Sequence, residues 1–202
     1  LDRTVHTYGK DAPTRAKIIV IGASAGGLKV IFEWSRLLPA DFPIPIIVVI
    51  HRNARYETRL EENLNQQCDI QVKLAIEKDK IEPNHLYFAP AGYHLLIEPD
   101  QTFSIDLSDP VHFCRPSIDV TFESVAEVYG EHTIGILLSG ANQDGAEGLA
   151  AIRRQKGFAI VQHPEWAEVP VMPQSAISIK AFDQILENPK IFAFIKRLEA
   201  YI

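Results

Sequence analysis

The sequence predicts an α/β fold: a doubly wound, mostly parallel sheet with an antiparallel hairpin appendage. Three observations predict it. Short apolar runs alternate with segments of helical periodicity, the pattern of strands joined by crossover helices. Pro45–Ile50 is apolar throughout, as a strand covered on both faces must be. The middle of the chain instead carries closely spaced strand-like runs split by Pro83-Asn84, Ala91-Gly92 and Pro99-Asp100, which reads as hairpins.

The elements follow in order. Lys17–Ile21 is a β-branched strand ending at Gly22. After a glycine-rich loop, Leu28, Ile31, Trp34 and Leu38 recur at helical spacing, and Pro39 and Pro43 end that helix. Pro45–Ile50 is the second strand, His51–Tyr56 a loop and Glu57–Gln67 a polar helix. Ile70–Ile76, His85–Ala89, Tyr93–Glu98 and Thr102–Asp106 are the short strands assigned to the hairpins. Ser117 suits the N-cap of a helix over Ser117–Tyr129. Then come a strand Thr133–Leu138, a helix Gly145–Gln155, a strand Phe158–Gln162, a helix Gln174–Ile179, a strand Gln184–Leu186 and a closing helix Pro189–Tyr201 with proline at its start. Residues 1–16 are polar and aperiodic and read as a tail or linker, leaving 17–202 as one domain.

Composition narrows the function. The net charge of −6 gives no excess of cations for neutralising phosphates, so a nucleic-acid partner is not expected. No apolar run approaches a membrane span, and none has the form of a signal peptide. Two cysteines, Cys68 and Cys114, without CxxC spacing, point to a reducing compartment rather than a disulfide scaffold. No His-x-x-x-His or His-Glu-x-x-His spacing occurs, so a metal is not expected, and a serine hydrolase, the reading of the strand-end residues, calls for no cofactor. Leu1 at the start, with Met172 the sole methionine, suggests a piece of a longer protein or a trimmed chain.

In doubly wound folds, sites form at the carboxyl ends of the strands. There Gly22-Ala23-Ser24-Ala25-Gly26-Gly27 fits G-x-S-x-G between a strand and a helix, the setting of a serine nucleophile at a sharp turn. The NH groups opening the next helix, those of Ala25 and Gly26 among them, suit a developing oxyanion. His51 ends the second strand, beside the first in a βαβ unit, and is the candidate general base. His163 ends a later strand and is its rival; His6, His85, His94, His112 and His132 have weaker claims. Asp144, between a strand and a helix, is the candidate carboxylate that orients the histidine. Its alternative role is N-cap of the helix Gly145–Gln155. Asp119, inside a helix, is the weaker carboxylate. The serine loop equally fits G-x-S-x-x-G, and Arg52 suits a phosphorylated ribose. An NADP-binding oxidoreductase-like domain therefore stays open, as do a structural turn and a non-catalytic signalling domain.

Three segments go further when taken in order: Ile21 to Gly27, Arg115-Pro116-Ser117-Ile118-Asp119, and Leu138 to Ala146 (LSGANQDGA). With Tyr87-Phe88-Ala89-Pro90-Ala91-Gly92 and Val171-Met172-Pro173, they resemble the catalytic domain of the chemotaxis protein-glutamate methylesterase family, from about Lys17 to the C-terminus. The resemblance implies hydrolysis of glutamyl methyl esters, with glutamine deamidation as a second activity. Ser24 would be the nucleophile, His51 the base and Asp144 its partner, and the backbone NH of Ala141 would join Ala25 and Gly26 at the oxyanion. It also implies a cytoplasmic location, methylated receptor helices as substrate and a receiver domain, upstream or separate, as regulator. The sequence departs from the family's pattern at Ala141, commonly Met, at Cys114, often His or another polar residue, and at Arg52-Asn53-Ala54-Arg55, commonly rich in Met and Pro.

Overall fold

The computed structural model describes residues 15–52 and 58–198. Most of the tail expected over 1–16, most of the loop after His51, and the last turn of the closing helix lie outside the described residues.

Seven strands form one parallel sheet: β1 (Ile18–Ala23), β2 (Ile46–Ile50), β3 (Gln71–Leu74), β4 (His85–Phe88), β7 (Thr133–Leu137), β8 (Phe158–Gln162) and β9 (Gln184–Leu186), in the order β3-β4-β2-β1-β7-β8-β9. β5 (His94–Ile97) and β6 (Phe103–Asp106) form a separate antiparallel pair. The helices are α1 (Gly27–Ser35), α2 (Leu60–Asn65), α3 (Ile118–Tyr129), α4 (Ala146–Arg154), α5 (Val171–Ser178) and α6 (Asn188–Arg197).

Strand alternation builds a core on each face. Ile19, Ile21 and Ala23 of β1 pack with Val30, Ile31 and Trp34 of α1 and with Ile191, Phe194 and Ile195 of α6. Ile18 and Val20 face the other way, against Ile118, Phe122 and Val125 of α3 and Leu149 and Ile152 of α4. The β5–β6 pair joins this second core through Leu95, Ile97 and Phe103. Full burial of one such side chain contributes about 1.5–3 kcal/mol. β1 and α3 meet closely at Gly22, where an added Cβ would lie 2.4 Å from Ile118 Cγ2. That approach brings the N-terminus of α3 under the strand ends.

One expectation needs correcting. Among the described residues only β5 and β6 make a hairpin; β3 and β4 belong to the main sheet and pair in parallel, Gln71 with His85 through Leu74 with Phe88. Their connection contains no helix. It leans instead on the start of β6: Lys78 N donates to Phe103 O at 2.9 Å, and Ile81 N donates to Gln101 O at 3.1 Å. That support replaces the helix that normally carries a parallel crossover.

The chain winds outward from β1 in both directions, so strand order reverses between β1 and β7. A crevice at the carboxyl ends of these two strands is where such a fold binds ligands. The loops after β1 and β7 open there, and so does His51, the first residue after β2.

Candidate active site

The loop after β1 is tied across this crevice. Ser24 N donates to Ser139 O at 2.9 Å, and Ser139 Oγ donates to Ala25 O at 2.6 Å while accepting from Val169 N at 2.8 Å. Gly26 takes φ +80°, a left-handed conformation that favours glycine, and a Cβ there would stand 2.5 Å from Glu168 Cβ. Ser24 is half-buried, one residue beyond β1. Among the described residues, no intramolecular acceptor takes the NH of Ala25, Gly26 or Ala141, so all three backbone donors expected at an oxyanion are unspent.

His51 lies one residue beyond β2, and the β1–β2 register sets Ala23 opposite Ile50. Its own NH donates to Ala23 O at 3.3 Å, which carries the pairing one step past the strands. Ser24 and His51 thus leave adjacent strand ends side by side. The imidazole Nε2 lies 2.7 Å from Asp144 Oδ2, and Nδ1 lies 3.4 Å from Cys114 Sγ. Among the described residues, no hydrogen bond joins Ser24 Oγ to the ring; such bonds commonly tighten only with substrate bound.

Asp144 is fully buried and its carboxylate is saturated. Oδ1 accepts from Ser117 Oγ at 2.8 Å and Asp119 N at 3.0 Å; Oδ2 accepts from Ile118 N at 2.7 Å as well as from His51. Burial pushes against its ionisation. The bonds from His51, Asp119, Ile118 and Ser117 outweigh that and hold the carboxyl below its usual range. The N-terminus of α3 adds a favourable field.

The capping role foreseen for Asp144 belongs to Asp119. Asp119 Oδ1 accepts from Gly145 N at 2.8 Å and Gly148 N at 2.7 Å, at the start of α4. Asp144, just before α4, caps α3, and Asp119, in the first turn of α3, caps α4. The exchange locks the two helix starts together. Burial raises the Asp119 pKa, the NH groups of Gly148 and Gly145 oppose it, and the Asp144 charge adds to the rise, to about 6.

His51 is pulled in two directions. Burial favours its neutral form, but the Asp144 hydrogen bond and then the contact with Cys114 prevail and push its pKa up to about 9. An aspartate that stabilises the imidazolium is what proton transfer from a serine requires.

The rival base is occupied elsewhere. β8 is separated from β1 by β7, and His163 Nδ1 accepts from Glu165 N at 3.2 Å, capping the short turn at Pro164–Trp166. His94 is buried between Asp109 O and Ser117 N, at 3.1 Å from each. Arg52, the residue that suited a ribose phosphate, donates to Ala89 O at 3.0 Å and pairs with Glu61 at 2.5 Å, so the dinucleotide reading is not favoured.

Sequence reasoning missed two things here: the Ser117–Asp119 ring of donors around Asp144, and the contact of Cys114 with the histidine. The Arg115–Asp119 motif was the available signal for the first. Asn142 Nδ2 also donates to Cys114 Sγ at 3.1 Å, so the cysteine sits between the loop after β7 and His51.

Known proteins resemble this chain in sequence and in fold. The family model described as CheB methylesterase matches residues 19–195. A relative from Leptospira interrogans is 45% identical over 181 residues, covering 90% of this chain and 94% of its own length. The protein-glutamate methylesterase/protein-glutamine glutaminase 2 of Methanospirillum hungatei is 38% identical over 182 residues, 90% of this chain and 52% of its own length. The chain therefore spans nearly all of the first relative and about half of the second. The crystal structure of the Thermotoga maritima CheB methylesterase catalytic domain superposes with a TM-score of 0.85 at 31% identity, over 93% of this chain and 99% of that one. With the parallel sheet and these matches in agreement, the chain belongs to the CheB methylesterase family.

Proposed function

We propose that this chain is a serine hydrolase that cleaves glutamyl methyl esters on the signalling helices of chemoreceptors, and that it deamidates glutamine side chains by the same path. Residues 17–202 form the catalytic unit, and residues 1–16 serve as a tail or linker. The observation that carries the reading is the His51–Asp144 pair, 2.7 Å apart with the carboxylate held by three further donors, set beside the Ser24 loop.

With Nε2 committed to Asp144, Nδ1 of His51 is the nitrogen that takes the Ser24 proton, and Cys114 must yield this position to the serine. Ser24 Oγ attacks the ester carbonyl, and the backbone NH groups of Ala25, Gly26 and Ala141 hold the oxyanion. His51 returns the proton to the departing methoxide, and methanol leaves. Water, deprotonated by His51, then opens the acyl-enzyme to glutamate and restores Ser24. Glutamine follows the same route with ammonia as the leaving group. No cofactor enters either cycle.

The names of the relatives support the substrate class, and receptor signalling helices as substrate support a cytoplasmic location. Among the described residues, no helix is long and apolar enough to cross a membrane. A receiver domain, upstream or on a separate chain, is the regulator this reading calls for.

The test supplies methylated receptor helices and measures methanol, and supplies the glutamine form and measures ammonia. Release of methanol by the wild-type chain, lost in Ser24→Ala, is expected. Equal release by a folded Ser24→Ala protein overturns the assignment.

A further inference from the structure

The geometry points to a zinc site that Cys114 and His51 form across the active-site crevice, with Asp144 and Asn142 supporting the two ligands. A zinc ion held there closes off the hydrolase.

The span between the ligand atoms carries the inference. Cys114 Sγ and His51 Nδ1 are 3.4 Å apart. Tetrahedral zinc bound at about 2.3 Å from sulfur and about 2.0–2.1 Å from nitrogen separates the two by about 3.5 Å. The pair is thus set at the bite of the ion before any ion arrives. The ligand atoms of His51, Cys114 and Asp144 all lie within 4.8 Å of one another.

The surroundings complete the case. A zinc-binding imidazole needs its other nitrogen fixed by a carboxylate or carbonyl, and here Nε2 meets Asp144 at 2.7 Å. The thiolate gains an N–H donor from Asn142 at 3.1 Å. Asp144 remains a supporting charge rather than a ligand, because Ser117, Ile118 and Asp119 hold its oxygens. One thiolate and one carboxylate balance the two positive charges of the ion. Both ligating residues are half-buried, so the ion enters from the crevice and water fills its remaining positions. Sulfur selects zinc over magnesium or calcium. The ligands come from separate segments of chain, which is why no sequence spacing announces the site.

Inhibition rests on the proposed hydrolase reading, since the metal would occupy the nitrogen that takes the Ser24 proton. Binding does not rest on it, and the experiment separates the two. The full chain is titrated with Zn²⁺ against a chromophoric chelator, and with Co²⁺ while thiolate-to-cobalt charge-transfer absorption is followed. Folding of each variant is checked by circular dichroism. One thiolate-bound metal per chain is expected for wild type and Cys68→Ser. In Cys114→Ser the charge-transfer band should vanish and zinc affinity should fall at least about tenfold. Ester hydrolysis, measured relative to each protein's own metal-free rate, should be lost at saturating zinc in wild type and recovered with chelator. A band that persists in Cys114→Ser, or competition by Mg²⁺ as strong as that by Zn²⁺, overturns the site. Undiminished hydrolysis at saturating zinc overturns the inhibition, even where cobalt reports the bound thiolate.

Discussion

Replacing Asp144 by Asn tests the most specific feature of the site, a buried carboxylate shared between a helix cap and a histidine. The amide must place its NH₂ at one of two positions. At Oδ2 it would face two N–H donors, Ile118 N and His51 Nε2. At Oδ1 it faces Asp119 N and the Ser117 hydroxyl, and the hydroxyl can rotate to accept. The amide therefore settles with nitrogen at Oδ1 and strands the Asp119 NH. One buried unpaired donor costs about 1–3 kcal/mol, and the lost charge at the start of α3 adds about 0.3–1 kcal/mol. The protein should still fold, with a lowered denaturation midpoint.

Catalysis should suffer more, because a neutral amide cannot stabilise the imidazolium. In trypsin the corresponding change costs about 10⁴-fold. Here the loss should depend on pH. With a His51 pKa of about 9, roughly one base in a hundred is neutral at pH 7. Without the Asp144 charge the pKa falls, held up then only by the Cys114 contact, and a larger share of the base becomes neutral at pH 7. This recovers up to about a hundredfold at pH 7 and nothing at pH 10. The expected loss in kcat/KM is therefore about 10⁴-fold at pH 10 and smaller at pH 7, by at most about a hundredfold. Methanol release from a methylated receptor helix across pH 6–10, alongside urea denaturation, measures both effects. Lowered stability with unchanged specific activity would show that Asp144 only caps a helix. A deficit that does not vary with pH would refute the raised pKa.

Other outcomes follow from the same geometry. Wild-type kcat/KM should climb about tenfold per pH unit from 7 towards 9, because the base must be neutral; a plateau reached by pH 7 contradicts this. Stability should move the opposite way: the raised histidine pKa stabilises the fold fully below about pH 6.5, and that contribution is lost as pH rises through about 9, as urea midpoints will show. Ser24→Ala should shift stability by no more than about 0.5 kcal/mol, the side chain being half-buried at a loop, yet lower turnover at least about a thousandfold. His51→Ala should abolish both hydrolysis and labelling of Ser24 by a serine-directed phosphonate, while His163→Ala keeps most of each; the reverse pattern would move the base to His163.

Much of this architecture is legible in the sequence because burial on both faces leaves a mark. Phe158–Gln162 and Gln184–Leu186 are read with their boundaries intact, and Ser117 is read as the cap it is, accepting from Val120 N. The direction of β3 and β4 is not legible. Turn residues lie between them, and a short apolar strand carries no sign of whether its neighbour runs with it or against it. What settles the matter is a connection braced on β6, a contact between distant parts of the chain. The site divides in the same way. Ser24, His51 and Asp144 each follow a strand, so topology alone gathers them. The partners of Asp144 come from α3, whose approach depends on packing at Gly22, and Cys114 reaches His51 across 63 residues of sequence.

The reciprocal caps of α3 and α4 bear on how such a domain would decay. Were a descendant to lose its substrate, Ser24 could drift, since among the described residues its side chain makes no hydrogen bond. Asp144 could not, because removing it exposes the start of α3 and unsettles the clasp that Asp119 completes. A relic of this enzyme would thus keep its aspartate long after its serine had gone. If Ser24 is the nucleophile we propose, the serine is the informative residue in judging whether a relative still works, and an intact aspartate testifies chiefly to an intact fold.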